Sequence, residues 1–201
     1  MKLFDENLLE PLFRALRFRQ SWQDLPRQVS VCIDLGCGPE MRYLSEMIKK
    51  KVDVGRYVGI DPLLSIDRLK EKASLDGVIL EPIAKPVEYI TTLPSESADL
   101  IVGFAFLEHI DDPQKTLLET VRVLKKGGKA IFTTPTKAAK PVLEFLSYRL
   151  GLVSRREIEE HKQYFQKEDL LNLLDENKQQ VNIKHKYFEF GMNNYFVVSK
   201  R

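Results

Sequence analysis

Short apolar runs alternate with stretches of helical periodicity through the middle of this 201-residue chain. The runs are bounded by turn residues and are typical of buried strands. Apolar strands joined by helices predict right-handed crossovers and a parallel sheet covered on both faces. The predicted strands are Val31–Ile33, Tyr57–Ile60, Val78–Ile83, Asp99–Gly103 and Lys129–Thr134.

Proline and glycine mark where the intervening helices begin and end. Pro62 fits the first turn of a helix through Leu69, and Pro113 fits the first turn of another. The second of these helices stops at Gly127-Gly128, a glycine signal for a helix C-terminus. The regular alternation covers about 100 residues, and we therefore expect one α/β domain.

Both ends of the chain depart from this alternation. Residues 1–28 carry an apolar helical stripe and a polar linker, and we expect them to pack on the core. A membrane-surface or substrate-lid role for that helix stays open. Residues 29–201 form the domain itself, with a helical cover at about 137–165. Two strand-like runs, 181–190 and 195–199, are only four residues apart and predict an antiparallel hairpin.

Composition excludes several classes of protein. The 31 basic and 29 acidic residues nearly balance, so we expect no nucleic-acid partner. No apolar run approaches the ~20 residues of a membrane span, and the N-terminus lacks a signal-peptide core. Cys32 and Cys37 suit neither a disulfide framework nor a zinc site, and a cytoplasmic location is expected.

The stretch Val31–Glu40 carries the first indication of chemistry. An apolar strand is followed by Asp34 and then by a turn that contains Gly36 and Gly38. Glycines at such a turn let a ligand approach the backbone, and the ligand then lies at the carboxyl end of the sheet. Many nucleotide-binding turns have this pattern, so the rest of the chain has to identify the ligand.

An ordered set of motifs resembles the class I S-adenosylmethionine-dependent methyltransferases from about Arg27 to the C-terminus. The resemblance implies a Rossmann-like doubly wound sheet of seven strands, mostly parallel, with a C-terminal antiparallel hairpin and helices on both faces. A looser likeness, from Thr133 to His161, is to methyltransferases of bacterial surface-polysaccharide synthesis. The motifs are Ile33-Asp-Leu-Gly-Cys-Gly38, Val58-Gly-Ile-Asp61, Leu93–Val102, Leu107-Glu-His-Ile110 and Val121–Gly128.

The resemblance implies S-adenosyl-L-methionine as cofactor, with S-adenosyl-L-homocysteine as product. It implies that Asp61 binds the ribose diol, while Asp34 either orients the turn or meets the ammonium group. An ionised carboxylate can accept two bonds from a diol, and each is worth roughly 1.5–3 kcal/mol. The expected cofactor-binding residues are Asp34, Gly36, Cys37, Gly38, Asp61, Pro62, Ile83, Ala84 and Phe104.

Three positions depart from the family pattern. Glu40 stands where a third glycine is frequent, which leaves its effect on cofactor binding open. Ile83 and Ala84 stand where many members carry an acid for the adenine amino group, so adenine is expected to rest on apolar walls and backbone. Phe104 follows the fourth strand, where a contact with the methionine moiety and a core role are equally compatible with the sequence.

Histidines provide the candidate catalytic groups. His161 is a candidate general base for an oxygen or carbon acceptor, or else a residue that pins the cover to the core. His109 is a candidate substrate contact. Some relatives bind a divalent cation with a Glu-x-x-Glu-His pattern, but the first acid is Ala105 here. Glu108 and His109 alone do not fill a Mg²⁺ shell, so no metal is expected.

An apolar, basic segment at residues 137–156 is the main indication in the sequence of which acceptor and partners the protein binds. It suits a large or amphiphilic anionic acceptor, but also a lid or a dimer contact. We therefore expect methyl transfer to an O, N or C atom of a small-molecule, sugar or lipid-linked acceptor. A peripheral membrane contact is compatible with this segment, and the protein is expected to be a monomer or homodimer.

Two other functions compete with methyl transfer. An NAD(P)-binding oxidoreductase would carry Gly-x-Gly-x-x-Gly, but its sixth position here is Met41, and its domain would not end in an antiparallel hairpin. A non-catalytic S-adenosylmethionine-binding regulatory protein would keep the fold without a productive acceptor pocket. The missing third glycine and the missing adenine acid favour this second alternative.

Overall fold

The structure, a computed structural model, describes residues 8–65 and 77–201. Its seven strands form one sheet in the order β3-β2-β1-β4-β5-β7-β6. Strands β1 to β5 pair in parallel, and β7 pairs antiparallel with both β5 and β6, as predicted. The strands are β1 (Gln28–Leu35), β2 (Asp53–Ile60), β3 (Ile79–Ile83), β4 (Ala98–Phe104), β5 (Leu124–Pro135), β6 (Val181–Phe188) and β7 (Asn193–Lys200).

Six α-helices are described, together with short 3₁₀ turns. Among the described residues, no helix is both long enough and apolar enough to cross a bilayer. The helices are α1 (Glu10–Ser21), α2 (Arg42–Lys49), α3 (Pro113–Val123), α4 (Ala139–Tyr148), α5 (Arg155–Glu159) and α6 (Lys167–Asn172).

The helix predicted from Pro62 to Leu69 is only partly described. Residues 62–64 form a turn, in which the Leu63 amide donates to the Asp61 carboxylate at 2.7 Å. Asp61 thus caps a turn, the local role that Asp and Asn side chains favour before a helix. The rest of the predicted helix lies outside the described residues.

Two apolar cores lie on opposite faces of the sheet. Neighbouring positions of β4 divide between them, since Leu100 and Val102 belong to one core and Ile101 to the other. Helices α1 and α2 contribute to the first core, and α3 and α6 contribute to the second. Burial on both faces is why these strands are nearly continuous apolar runs in the sequence.

Helix α1 crosses the carboxyl ends of the central strands. The Phe18 ring lies 5.0 Å from the Tyr43 ring and 5.2 Å from the Phe104 ring, and the Ser21 and Tyr43 hydroxyls are 2.7 Å apart. At its other end, the Leu9 amide donates to the Leu152 carbonyl at 3.2 Å. Helix α1 therefore links the cover to the edge of the sheet where ligands bind in folds of this type.

A buried asparagine fastens the end of the cover to the sheet. Asn194 is fully buried in β7, and its amide nitrogen donates to the Thr134 carbonyl at 3.1 Å and the Phe165 carbonyl at 2.9 Å. Its amide oxygen lies 2.9 Å from His185 Nε2. Phe165 follows the segment that carries His161, so this amide helps to position a candidate catalytic residue.

We expect Asn194→Ala to lower the free energy of unfolding by about 2–4 kcal/mol, because it leaves two buried carbonyls without a donor. Urea denaturation followed by circular dichroism measures the change. Asn182→Ala is the matched control, since Asn182 is exposed on β6, and we expect less than ~0.5 kcal/mol there. Equal costs for the two variants would contradict the fastening role.

Candidate functional site

The glycine turn after β1 is packed on one side and open on the other. Gly36 and Gly38 both have positive φ angles, of 69° and 68°, which glycine adopts without strain. A Cβ atom at Gly36 would lie 2.7 Å from the Phe106 ring, whereas one at Gly38 would meet nothing within 4 Å. Gly36 is therefore required by packing, and Gly38 faces the space in which a ligand can approach the backbone.

Asp61 connects the end of β2 to this turn. Its carboxylate accepts hydrogen bonds from the Gly38 amide at 2.9 Å and from the Leu63 amide at 2.7 Å. The residue is only 8% exposed, and its two oxygens keep lone pairs beyond those the amides use. A ribose diol that leans on Gly38 would meet this carboxylate.

The end of β3 supplies an apolar wall beside Asp61. The Asp61 amide donates to the Ile83 carbonyl at 3.2 Å, and Ile60 pairs with Ile83 in the sheet. Ile83 is half-buried and Ala84 is exposed. An open glycine backbone, a carboxylate and an apolar wall in this order fit an adenosyl group, and Pro62 lies next to them in the exposed turn.

Asp34 is turned into the protein. It is 3% exposed, and the Tyr57 hydroxyl donates to its carboxylate at 2.5 Å. Burial raises the pKa of Asp34 to about 7, although the bond from Tyr57 lowers it and the charge of Asp61 raises it again. Of the two roles left open by the sequence, these contacts support orientation of the turn.

Cys37 acts as a packing residue. Its sulfur lies 2.8 Å from where a Cβ of Gly59 would be, so the thiol fills the space beside β2. Burial raises the pKa of the Cys37 thiol, and the charges of Asp34 and Asp61 raise it further. A thiol held in its neutral form is a poor nucleophile.

Glu40, which stands where a glycine is frequent in the family, is bonded to Arg42. The Arg42 Nε donates to the Glu40 carboxylate at 3.0 Å. The left-handed backbone that glycine adopts most readily falls on the next residue, Met41, with φ of 48°. Met41 is nearly fully buried, and its side chain contacts the region of Gly59. Packing of the Met41 side chain therefore offsets the strain of this left-handed backbone, one residue after the position where the family pattern has its third glycine.

Phe104 belongs to an aromatic cluster. Its ring lies 4.6 Å from the Tyr43 ring and 5.2 Å from the Phe18 ring. It is half-buried, between α1, α2 and the end of β4. These contacts account for the core role that the sequence allowed, and they place Phe104 beside the glycine turn as well.

His109 and His161 lie together at the same edge of the sheet. Their ring centres are 4.8 Å apart, because the Lys162 amide donates to the Glu108 carbonyl at 2.8 Å. His161 Nδ1 lies 3.0 Å from the Tyr164 hydroxyl. Burial lowers the pKa of His161 to about 4, and the charges of His109 and Arg17 lower it further. The His161 imidazole is therefore neutral at pH 7 and keeps a free lone pair, although the lowered pKa makes it a weaker base than an exposed histidine.

Glu108 completes this cluster. It is 1% exposed, and neither carboxylate oxygen has a hydrogen-bonding partner. Burial raises the pKa of Glu108, while His109, its own backbone, Arg17 and Thr134 lower it. Ligand atoms of Glu108, His109 and His161 lie within 4.8 Å of one another. The sequence argument against a metal considered only the first two of these residues, since nothing in the sequence indicated that His161 is their neighbour.

Nothing in the sequence indicated that three further polar residues lie near this cluster. Arg17 lies in α1, near the end of the helix, and its Nε is buried without a partner. Glu189 and Asn193 lie at the turn between β6 and β7, and each has an unpartnered buried oxygen. A hairpin turn carries no motif that indicates burial, so only the fold identifies them.

Comparison with known proteins agrees with this geometry. A family model described as a methyltransferase domain matches residues 4–178, well over half of the chain. The chain is 24% identical over 151 residues to a ubiquinone biosynthesis O-methyltransferase of Vibrio atlanticus, covering 71% of this chain and 60% of that protein. A protein of the same name from Aliivibrio fischeri is 26% identical over 153 residues, covering 72% and 61%. The chain thus spans about 60% of the length of these curated relatives.

Solved structures show the same fold at low identity. A SAM-dependent methyltransferase from Thermotoga maritima is 19% identical, has a TM-score of 0.61, and is matched over 94% of this chain and 90% of that one. An O-methyltransferase family protein from Burkholderia thailandensis is 13% identical, with a TM-score of 0.64 over 96% of this chain and 56% of that one. The Rossmann-like sheet with an antiparallel end is confirmed.

We expect the buried Asp34 carboxyl to make stability depend on pH. The unfolded chain releases this proton near pH 4, whereas the folded protein keeps it up to about pH 7. Between these values the folded state binds more protons, so its stability falls as the pH rises, by up to ~1.4 kcal/mol per pH unit. Asp34→Asn removes this contribution to the pH dependence. Two other groups with shifted pKa values, Glu157 and His161, titrate in both proteins, so their contributions cancel in the comparison.

Urea denaturation of wild type and Asp34→Asn at several pH values between about 5 and 7 measures this difference. We expect the stability of wild type relative to the variant to decrease steadily as the pH rises. Asp53→Asn, at the exposed start of β2, is the control and should give a constant difference. A constant difference for Asp34→Asn as well would show that Asp34 does not titrate in this range.

Proposed function

The chain belongs to the methyltransferase domain family of S-adenosylmethionine-dependent proteins, and from this premise we propose that it methylates a hydroxyl oxygen of its acceptor. The observation that carries the proposal is the pair of imidazoles of His109 and His161, whose ring centres are 4.8 Å apart at the same edge of the sheet as the glycine turn and Asp61. O-methylation is also the activity in the names of the Vibrio and Aliivibrio relatives. The family membership argues against the nicotinamide alternative.

The proposed cofactor-binding part of the site rests on three features of the fold. Asp61 binds the ribose diol, the backbone of Gly36, Cys37 and Gly38 supports the methionine part, and Ile83 lies against adenine. When bound, S-adenosylmethionine supplies a methyl group activated by positive sulfur. The protein then has to align the acceptor with that methyl group and exclude water.

The acceptor end requires a base, because a hydroxyl oxygen attacks more readily as its proton leaves. His161 takes this proton, since a buried neutral imidazole accepts one without first losing another. Tyr164, whose hydroxyl lies 3.0 Å from His161 Nδ1, orients the ring and leaves Nε2 as the nitrogen that accepts the proton. His109 packs edge-on against His161 and keeps the ring in place.

The outer side of α4 supports an acceptor with an apolar part, in line with the predicted lipid-linked class. Val142, Phe145 and Tyr148 are 38%, 55% and 41% exposed on one side of this helix. The Arg155 guanidinium lies 4.9 Å from the centre of the Tyr148 ring, so the apolar side is bordered by positive charge.

We expect Asp61→Asn to weaken binding of S-adenosylhomocysteine by about tenfold or more, because the loss of charge weakens both bonds to the ribose diol. Isothermal titration calorimetry measures the affinity, and thermal denaturation verifies that the variant is folded. Asp53→Asn, at the opposite end of the same strand, should bind like wild type. Equal affinities for both variants would remove Asp61 from the cofactor site.

We expect His161→Ala to leave S-adenosylhomocysteine affinity within about threefold of wild type and to lower turnover sharply, since the proposed general base is then absent. Turnover is measured as S-adenosylhomocysteine formed with a panel of catechols, phenols and sugars. His185→Gln, in the histidine outside the cluster, is the control, since the glutamine amide can keep the hydrogen bond to the Asn194 amide oxygen. Unchanged turnover in His161→Ala would exclude His161 as the base.

A second assignment for the same cluster is a divalent-cation site. The three ligand atoms within 4.8 Å favour it, and two histidines with one glutamate form a ligand set that zinc uses. Calorimetry with Mg²⁺, Mn²⁺ and Zn²⁺ decides between the two assignments. Stoichiometric binding at micromolar concentration, abolished by Glu108→Gln, would make His161 a metal ligand and not the base.

The non-catalytic alternative makes a distinct prediction in the same experiments. A regulatory protein would bind S-adenosylhomocysteine and form none from S-adenosylmethionine with any acceptor in the panel. A scaffold that has lost the cofactor would show no thermal stabilisation by S-adenosylhomocysteine at millimolar concentration.

A further inference from the structure

Buried polar atoms without partners concentrate at the proposed acceptor end. The structure contains eight such side-chain atoms among its described residues, and six of them lie on five residues of this region. We call these five residues the polar cluster. They are Arg17 (Nε), Glu108 (both carboxylate oxygens), Thr134 (Oγ1), Glu189 (Oε1) and Asn193 (Oδ1).

The sheet brings four members of the polar cluster to one edge. Thr134 lies near the end of β5, and its neighbour Pro135 pairs with Asn193 at the start of β7. The Asn193 amide nitrogen donates to the Glu189 carboxylate at 3.2 Å. Glu108 follows β4, which pairs in parallel with β5, so its segment emerges at the same edge.

Helix α1 places Arg17 over this edge. The neighbouring Phe18 contacts Phe104 at the end of β4, with 5.2 Å between the ring centres. The positive charge of Arg17 lowers the pKa of Glu108 and of Glu189, opposing the larger rise that burial causes in each. Arg17 is therefore close to both carboxyls, although its Nε bonds to neither.

Most of the unpartnered atoms are hydrogen-bond acceptors. The oxygens of Glu108, Glu189 and Asn193 require donors, whereas Arg17 Nε requires an acceptor and Thr134 can use either. Each such group costs about 1–3 kcal/mol when it is buried without a partner. A ligand that satisfies this set needs several hydroxyl groups, because each hydroxyl donates one bond and accepts others.

We propose that the polar cluster is the acceptor subsite and that it takes a neutral group with several hydroxyls, such as a polyol, a sugar or a catechol. This proposal rests on the proposed function, since the subsite adjoins His161 and the glycine turn. It replaces the anionic acceptor, one of the alternatives that the sequence left open, for the part of the acceptor next to the methyl group.

The polar cluster contains charges of both signs, and together they select a neutral acceptor group. Glu108 and Glu189 repel a carboxylate or phosphate, while Arg17 repels an ammonium group. A charged acceptor group would also lose its hydration on burial and gain a like-charged neighbour. A neutral hydroxylated group avoids both costs and supplies the missing donors.

Helix α1 is the wall that has to shift when this group binds, because the polar atoms are sealed in the structure. Its contacts include the aromatic packing of Phe18, the contact between the Ser21 and Tyr43 hydroxyls, and two hydrogen bonds to the cover, from the Leu9 amide to the Leu152 carbonyl and from the Ser154 amide to the Glu10 carboxylate. Burial of an acceptor beneath α1 should then slow amide hydrogen exchange across residues 10–21.

Two matched series of probes test the charge selection on the wild-type protein saturated with S-adenosylhomocysteine. The aromatic series is catechol, 3,4-dihydroxybenzoate and dopamine, and the sugar series is methyl glucoside, its glucuronate and its glucosamine counterpart. Saturation-transfer NMR and calorimetry measure binding. In the series that binds, we expect the neutral member to bind about tenfold more tightly than either charged member. Tighter binding of a charged member, or no binding in both series, would overturn the proposal.

A variant that removes one charge tests whether the polar cluster causes the preference for a neutral group. Glu189→Gln keeps an oxygen to accept from Asn193 but removes the charge, so the preference for the neutral probe over the anionic one should fall by about threefold or more. Glu168→Gln, in an exposed acid on α6, is the control and should keep the full preference. An unchanged preference in Glu189→Gln, in a variant whose thermal stability is that of wild type, would contradict the assignment.

Hydrogen exchange and cofactor binding separate this proposal from the proposed function. Loss of S-adenosylhomocysteine binding, or absence of methyl transfer, would refute the proposed function whatever the probes do. Protection of residues 10–21 by the neutral probe, with normal cofactor binding, supports the subsite independently of turnover. Cofactor binding and turnover without protection of α1 would place the acceptor elsewhere.

Discussion

The parallel pairing of β1 with both β2 and β4 is the constraint on which the site depends. It brings three strand ends to one edge, where the chain leaves in different directions and a crevice remains. The Gly38 amide and the Asp61 carboxylate bond across two of those ends. The segment that follows β4 packs Phe106 against Gly36 and continues to Glu108 and His109. The cofactor part and the acceptor part of the site therefore share one structural origin.

Burial of polar groups at this edge sets their chemistry. The same desolvation that raises the pKa of Asp34 lowers that of His161, because burial disfavours whichever form carries the charge. Asp34 has Tyr57 as a partner and contributes to the shape of the turn. Glu108 has no such partner, and a buried carboxyl without one is costly unless a ligand supplies it. This contrast separates a structural acid from one that is available for function.

The cover and α1 close the crevice from two directions. The cover is held by backbone bonds, including that from Lys162 to Glu108, and by the amide of Asn194. Helix α1 is held by the packing of Phe18 on Phe104 and Tyr43 and by a few hydrogen bonds near its two ends. Packing of one aromatic side chain permits sliding more readily than a network of directional bonds does. The cover therefore positions the histidines, while α1 is the element able to admit an acceptor.

The sequence by itself determined the α/β class, the succession of parallel strands and their antiparallel end, and it identified the glycine turn and Asp61 as candidates for the cofactor site. These features depend on residues close together in the chain, where apolar periodicity, glycine spacing and strand-end acids are visible. Only the tertiary structure decided that His161 meets His109, that Arg17 points inward and that the β6–β7 turn contributes Glu189 and Asn193. Contacts between distant segments depend on how those segments pack against one another, and the spacing of neighbouring residues does not specify that packing.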